Sequence, residues 1–318
     1  MKGVKLLFSF VVVSALILAG CNNEEENYPS SSIEILIPYS PGGQTDLSAR
    51  AYAEHLQKYL DTEVVVVNQT GGGGVTAINE VISDNSDGHK FLLHHDAMHT
   101  AYAIDQVDVT YEEMTPVDVS ASVNQAYMVS ESAPWDTLEE FVQDASENPG
   151  EYIYATDIGG TTHFMGGTLM EETNIDLAVQ DVGGESERMT ALLGNQADIA
   201  VTSISNAVSY VESGDYKVLA TLTEERDPLA PDFPTAIEQG YDITFPVTNV
   251  LYGPEDLSDE VLQKWDEATE NLVNDEEYQE ALENIYVVHD ENVDHEGALQ
   301  HVEGSFNSMQ SIAENLGF

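Results

Sequence analysis

Four glycine clusters, Gly42-Gly43, Gly71 to Gly74, Gly159-Gly160 and Gly183-Gly184, carry the clearest chemical signal in this chain. Each follows an apolar run and precedes a helical pattern. In IEILIPYSPGGQTDLSAR, residues 33–50, one glycine would be enough to turn a strand into a helix. Two glycines followed by capping residue types let another molecule approach the main chain. Backbone N–H groups and helix N-termini presented at such turns suit an anion. Tight turns and helix–strand packing explain any one cluster, but explain less well four at the same end of successive strands. NQTGGGG lacks the spacing of a dinucleotide fingerprint, and no phosphate-loop motif occurs.

Histidine is the second signal. His89, His94, His95 and His99 lie together in GHKFLLHHDAMHT with Asp96 among them. Imidazole and carboxylate at short spacing can hold zinc. However, His94 and His95 alternate faces if the strand continues, and there is no HExxH, so a metal-binding surface lipoprotein using His89 to His99 stands as the alternative. His163, after Gly159-Gly160-Thr161-Thr162, has both a structural reading at a helix start and a ligand reading. No metal site and no cofactor is assigned. With no GxSxG elbow and no cysteine nucleophile, catalysis is not expected, and a surface hydrolase is the second alternative.

These turns need elements to position them. ILIPYS, EVVVVNQ and KFLLHH read as strands, separated by TDLSARAYAEHLQKYL and VTAINEVISDN as helices. AYMVSE, YIYATD, LAVQDV, ADIAVTS and KVLATLT continue the strands, with TLEEFVQDASENP, THFMGGTLMEETN, SERMTALLGNQ and NAVSYVESGDY as helices between them. LSDEVLQKWDEATENLVNDEEYQEALENI and the last 24 residues read as helical. Apolar strands alternating with helices predict an α/β protein with sheets covered on both faces. One sheet of so many strands would be very wide, which favours two lobes with a ligand cleft beyond the strand carboxyl ends.

The first 21 residues, MKGVKLLFSFVVVSALILAGC, combine Lys2 and Lys5, an apolar stretch and small residues before Cys21. This is an export-signal pattern, too short for a membrane span. LAGC resembles the lipobox of bacterial lipoproteins, so residues 1–20 are expected to be a signal peptide and Cys21 the lipidated residue. Residues 21–32 read as an acidic tether. Cys21 is the only cysteine, which excludes an intramolecular disulfide. The chain of 318 residues carries 58 acidic and 9 basic residues, a formal net charge of -49. Such a chain repels nucleic acid and anionic membrane surfaces and is relieved by salt. The acids are spread over the helices, as on a solvated surface suited to high salt.

IPYSPGGQTDLSAR resembles the P-[FY]-x-P-G-G-x-x-D-x-x-A-R signature of the substrate-binding proteins of tripartite tricarboxylate transporters. VVVNQTGGGGVTAINEV, ATDIGGTTHFMGG, DVGGESERMTALLGNQADIAV and KVLATLTEERDPLAPDFPTAIEQGYDIT are similar to later motifs of that family, in the same order. The resemblance implies a two-lobed type II periplasmic-binding-protein-like fold. Residues 33–127 would open lobe 1, 128–245 would form lobe 2, and 246–318 would return to lobe 1. It also implies a monomeric, lipid-anchored extracytoplasmic receptor that closes over a small organic anion of the carboxylate class and docks on transporter membrane subunits.

Carried over by position, the implied ligand set begins with Tyr39, Gly42, Gly43, Thr45 and Asp46, then Gly72 and Gly73. The third-strand turn adds His95, Asp96, Ala97 and Met98. Gln125, Thr161, Thr162, His163, Gly183, Gly184 and Thr202 come from the second lobe. Asp46 is expected to cap its turn and Arg50 to partner buried acids. Three departures bear on specificity: Asp181-Val182 stands where relatives often have an aromatic-basic pair, Thr202-Ser203 where many have an aspartate, and His95-Asp96 where small hydroxylic residues are usual. A basic group on the ligand, or a bound cation, would make Asp96 and Asp181 useful.

Overall fold

The computed structural model describes residues 28–71, 74–289 and 293–318; Cys21, the signal pattern, Gly72 and Gly73 lie outside them. The β-branched runs form two five-stranded sheets. The first has the order β2-β1-β3-β10-β4, with β1 (Ile33–Ile37), β2 (Val64–Asn68), β3 (Lys90–His95), β4 (Met114–Val123) and β10 (Val247–Pro254). The second has the order β7-β6-β8-β5-β9, with β5 (Gln125–Ser130), β6 (Ile153–Thr156), β7 (Ala178–Asp181), β8 (Ile199–Ser203) and β9 (Tyr216–Thr221). In each sheet one strand, β10 or β5, runs antiparallel to its neighbours. That strand is the one entering from the other lobe. The carboxyl ends of the parallel strands of both sheets therefore face the same cleft.

Helices cover both faces of each sheet. α1 (Gln44–Leu60), α8 (Asp259–Val273) and α9 (Glu276–Glu283) bury Tyr52, Leu56, Trp265 and Tyr278 against one face of the first sheet. α2 (Val75–Ile82) and α3 (Ala97–Ala103) lie on the other, where Ile78, Val81 and Met98 are buried. α4 (Leu138–Glu147) and α5 (Thr161–Thr173) cover the second sheet on one side, α6 (Glu185–Leu193) and α7 (Ile204–Glu212) on the other. α10 (His295–Leu316) belongs to both lobes: Ala298 and Val302 pack near the first sheet, whereas Met309, Ile312 and Ala313 join the second lobe's core. The C-terminal segment expected to return to lobe 1 thus has its last turns packed on lobe 2.

Three further expectations differ. No strand is expected from the pattern at β4 or β10, because Pro116, Asp118 and Ser120 interrupt one and Asn249 and Gly253 the other. The stretch 257–285, read only as helical, divides into two helices, since Asp275 accepts from the Glu277 N–H and starts a new one. The tether ends before residue 32: the Tyr28 hydroxyl donates to the Gly88 carbonyl at 2.6 Å, and Ser30 and Ser31 donate to His89 Nε2.

Candidate functional site

At the mouth of the first sheet, Asp46 organises the opening turn. Its carboxylate, 2 % exposed, accepts from the Gly42 N–H at 2.8 Å, from Arg50 and from Asn68 Nδ2. Burial alone would raise its pKa, but those hydrogen bonds outweigh burial and hold it below the usual carboxylate value. The Gly42 amide is therefore committed inside the turn. Gly43, with φ near -77°, is the N-cap of α1 and uses no side chain there.

The same arrangement recurs around the cleft. α1, α2, α3, α5, α6 and α7 begin at Gly43, Gly74, Asp96, Gly160, Gly184 and Ser203, and none of these N-cap residues bonds its helix through a side chain, although at α3 the neighbouring His95 takes the Ala97 N–H. The four helices that start elsewhere are all capped, by Thr137, Ser258, Asp275 and Asp294. First-turn N–H groups have no partner within their own helix. Absent caps at the cleft thus leave donors and positive dipole ends pointing into it.

Between the lobes lies a cavity of about 390 Å³. Pro38, Tyr39, Gly71, Gly74, His94 and Ala97 line it from the first lobe, and Asp157 to Gly160 from the second. No lysine or arginine is among its lining residues, so an anion there would be met by main-chain dipoles and not by a basic side chain. Gly159, at φ +85°, is required here: a Cβ would stand 2.7 Å from Ile104 Cδ1 of the facing lobe. Tyr39 stacks on His95 with centroids 4.6 Å apart, and its Oη lies 3.2 Å from His94 Nδ1. Burial drives the Tyr39 hydroxyl well above its ordinary pKa, so it stays protonated.

Several residues in the implied ligand set are engaged internally. Asp96, 3 % exposed, accepts from the Thr248 N–H at 2.7 Å, the Thr248 hydroxyl and the Ser305 hydroxyl, and so ties β10 and α10 to the β3 turn. Met98 is core. The Ala97 N–H donates to His95 Nδ1 at 3.1 Å. Thr162 pairs with the Thr156 hydroxyl, and His163 Nδ1 accepts from the Gly159 N–H at 3.2 Å. Burial lowers the His163 pKa, which keeps that acceptor neutral. Gln125 donates to the Val123 carbonyl at the lobe crossing. Thr202 donates to Glu185 Oε1 at 2.5 Å, which Asn206 also reaches. Thr45 and Thr161 stand half-buried in the first turns of α1 and α5, and Gly183 and Gly184 form the turn before α6. Behind that turn Arg188, 6 % exposed, donates to the Gly183 and Val201 carbonyls. It places a permanent positive charge near the α6 N-terminus.

The histidine cluster does not converge. His89 sits at the far end of β3 against Ser30 and Asp87, and His99 is buried beside Tyr111 and Phe306. Among the described residues the one metal-compatible group is His55, Asp275 and Glu277. There the Lys58 ammonium, 2.6 Å from Asp275, already neutralises the carboxylate. The implied ligand set lacks His94, Pro38, Gly71 and Asp157 to Ile158, although Gly71 and His94 stand in the glycine and histidine clusters that the sequence marks. The adjacency of His94 and His95 at the end of β3 was the available signal. A larger hollow, about 680 Å³, lies beside edge strands β4 and β9. Its one arginine, Arg226, is committed to Glu238 and the Pro231 carbonyl, beside Glu224, Glu225 and Asp227.

Comparison with known proteins accords with this architecture. The chain is 25 % identical over 329 residues to a UPF0065 protein of Bordetella pertussis, covering 100 % of this chain and 99 % of the relative. Among solved structures, a TctC solute-binding protein from Polaromonas superposes with TM-score 0.81 at 24 % identity, covering 90 % of this chain and 99 % of its own. MatC from Rhodopseudomonas palustris, solved with bound malate, gives TM-score 0.71 at 21 % identity, covering 90 % and 100 %. The model of the tripartite tricarboxylate transporter family receptor matches residues 48–318. This chain belongs to that family of solute-binding receptors, which are not enzymes.

Proposed function

We propose that this receptor holds a small organic anion of the carboxylate class between its lobes and delivers it to the membrane subunits of a tripartite tricarboxylate-type transporter. The observation that carries the reading is the distribution of N-cap side-chain bonds, absent at the six helices that follow the cleft-facing strand ends and present at the other four. A carboxylate in the cleft satisfies those amides and favours closure of one lobe on the other. The malate held by a fold neighbour is of the same chemical class. Lipidation at Cys21, on the outer face of the cytoplasmic membrane, rests on the LAGC sequence. No helix among the described residues is long and apolar enough to cross a membrane.

The test is a thermal-shift screen of the protein in molar salt with mono-, di- and tricarboxylates, with and without EDTA. A ligand that binds only the folded state raises the melting temperature with concentration. A dose-dependent rise that survives EDTA is expected with at least one carboxylate. No response except to divalent metal would overturn the reading.

A further inference from the structure

His94 and His95 are neighbours in sequence, yet the main chain holds their rings in opposite tautomers. His94 Nδ1 lies 2.7 Å from the His95 carbonyl oxygen, which can only accept, so Nδ1 carries the hydrogen. His95 Nδ1 receives the Ala97 N–H at 3.1 Å, so it is unprotonated and the hydrogen sits on Nε2. Burial pushes the His94 imidazole down to about 3 and His95 to about 4, which keeps both rings neutral near pH 7. His94 Nε2 is then a bare lone pair.

That lone pair has no partner among the described residues, on a side chain 2 % exposed at the cavity wall. Native proteins rarely leave a buried polar atom unpaired without a reason. The site is shaped around it: Gly74, at φ +96°, faces Nε2, and a Cβ there would come within 2.8 Å of it. Tyr39 Oη, 3.2 Å from the protonated His94 Nδ1, cannot donate to it, which leaves the hydroxyl proton free. One wall of the cavity thus offers an acceptor and a donor side by side.

We propose that His94 Nε2 is a hydrogen-bond acceptor in the ligand site, so that the solute carries a hydroxyl or amino donor beside its carboxylate. The inference rests on the carboxylate-receptor reading and narrows it: uncapped helix ends recognise the acid, and His94 recognises the neighbouring N–H or O–H. A site built to pair a polar group rejects the analogue that lacks it, because the site's own polar atom is then stranded.

The experiment compares malate, aspartate and succinate by calorimetry on the wild-type receptor and on His94→Phe, with the imidazole tautomer of His94 read by 15N NMR. Malate or aspartate is expected to bind about tenfold tighter than succinate, the size of one hydrogen bond gained. That ratio should collapse in H94F, and NMR should report the Nδ1–H form. Tighter malate indicates a hydroxy acid and tighter aspartate an amino acid. Equal binding of all three would overturn the proposal while leaving the carboxylate reading intact, as would an Nε2–H tautomer or a ratio unchanged in H94F. Binding of none of these, or of any other carboxylate, would remove both. If H94F does not fold, the wild-type ratio and the tautomer decide.

Discussion

Asp118 shows how far one residue can depart from its ordinary chemistry in this protein. It is completely buried in the first lobe, its Oδ2 accepts the Tyr52 hydroxyl at 2.5 Å, and Oδ1 has no hydrogen-bond partner among the described residues. Burial, outweighing the Tyr52 hydrogen bond, raises its pKa to about 7. The folded state then keeps a proton that the unfolded chain gives up from about pH 4 upward. Stability should therefore fall as pH rises through the window from about 4 to 7, by up to about 1.4 kcal/mol per pH unit, and level off above it. Asp118→Asn keeps an acceptor for Tyr52 and should remove that part of the slope. Urea titrations at pH 4.5, 5.5 and 7 would measure it, and parallel losses in both proteins would refute the assignment. A second residue-scale expectation concerns Gly166, where a Cβ would meet the Tyr154 ring at 2.4 Å. Gly166→Ala should cost about 1–3 kcal/mol through overpacking of α5 on β6, read as a lower urea midpoint.

Helix starts divide into two populations, and element-scale predictions follow that division. Asp294 caps α10, accepting from the Gly297 N–H at 2.8 Å, so Asp294→Ala should lower stability by about 1 kcal/mol without changing ligand affinity. At α1 the opposite trade is expected. Gly43 has a φ that any residue adopts, and its nearest obstacle to a Cβ is the Ser40 carbonyl at 3.6 Å. Gly43→Ser supplies a cap that competes with the ligand for the first-turn amides. Its stability should match or slightly exceed that of the wild type, while affinity falls about tenfold, the worth of one lost hydrogen bond. An unchanged dissociation constant by calorimetry would show that the α1 amides do not hold the ligand.

Over the whole molecule, the charge balance and the two-lobed shape set the behaviour. Removing residues 1–20 takes away Lys2 and Lys5 and no acid, leaving 58 acids against 7 bases. Arg50, Lys58, Lys90, Lys217 and Arg226 are paired with carboxylates. Most acids thus face one another across solvent. Repulsion of this kind weakens as the screening length shortens from about 10 Å at 0.1 M to about 3 Å at 1 M salt. The melting temperature should rise steadily between those concentrations, and a flat profile would mean that the acids lie too far apart to interact. α10, with its first turns in one lobe's packing and its last in the other's, restrains the hinge. Closure on a carboxylate should appear in small-angle scattering as a smaller radius of gyration.

The sequence by itself determined the α/β alternation, the two-lobed plan and the family, because β-branched runs, helical periodicity and the PGGQTD-type turns are local signals. It also marked the glycine-bearing ends of the strands as the place to look. Tertiary structure decided which polar groups at those ends remain free. Asp96 resembles a ligand contact in sequence, but Thr248 and Ser305, 152 and 209 positions away, occupy its oxygens. His94 resembles an inward-facing strand residue, yet its Nε2 is left over because a neighbouring carbonyl claims Nδ1 and Gly74 makes room for the ring. Strands β4 and β10 were illegible for the same reason: their polar residues are satisfied by partners such as Tyr52 and Ser48 from distant parts of the chain. Local pattern records what a residue prefers; long-range hydrogen bonding decides which preferences are already met.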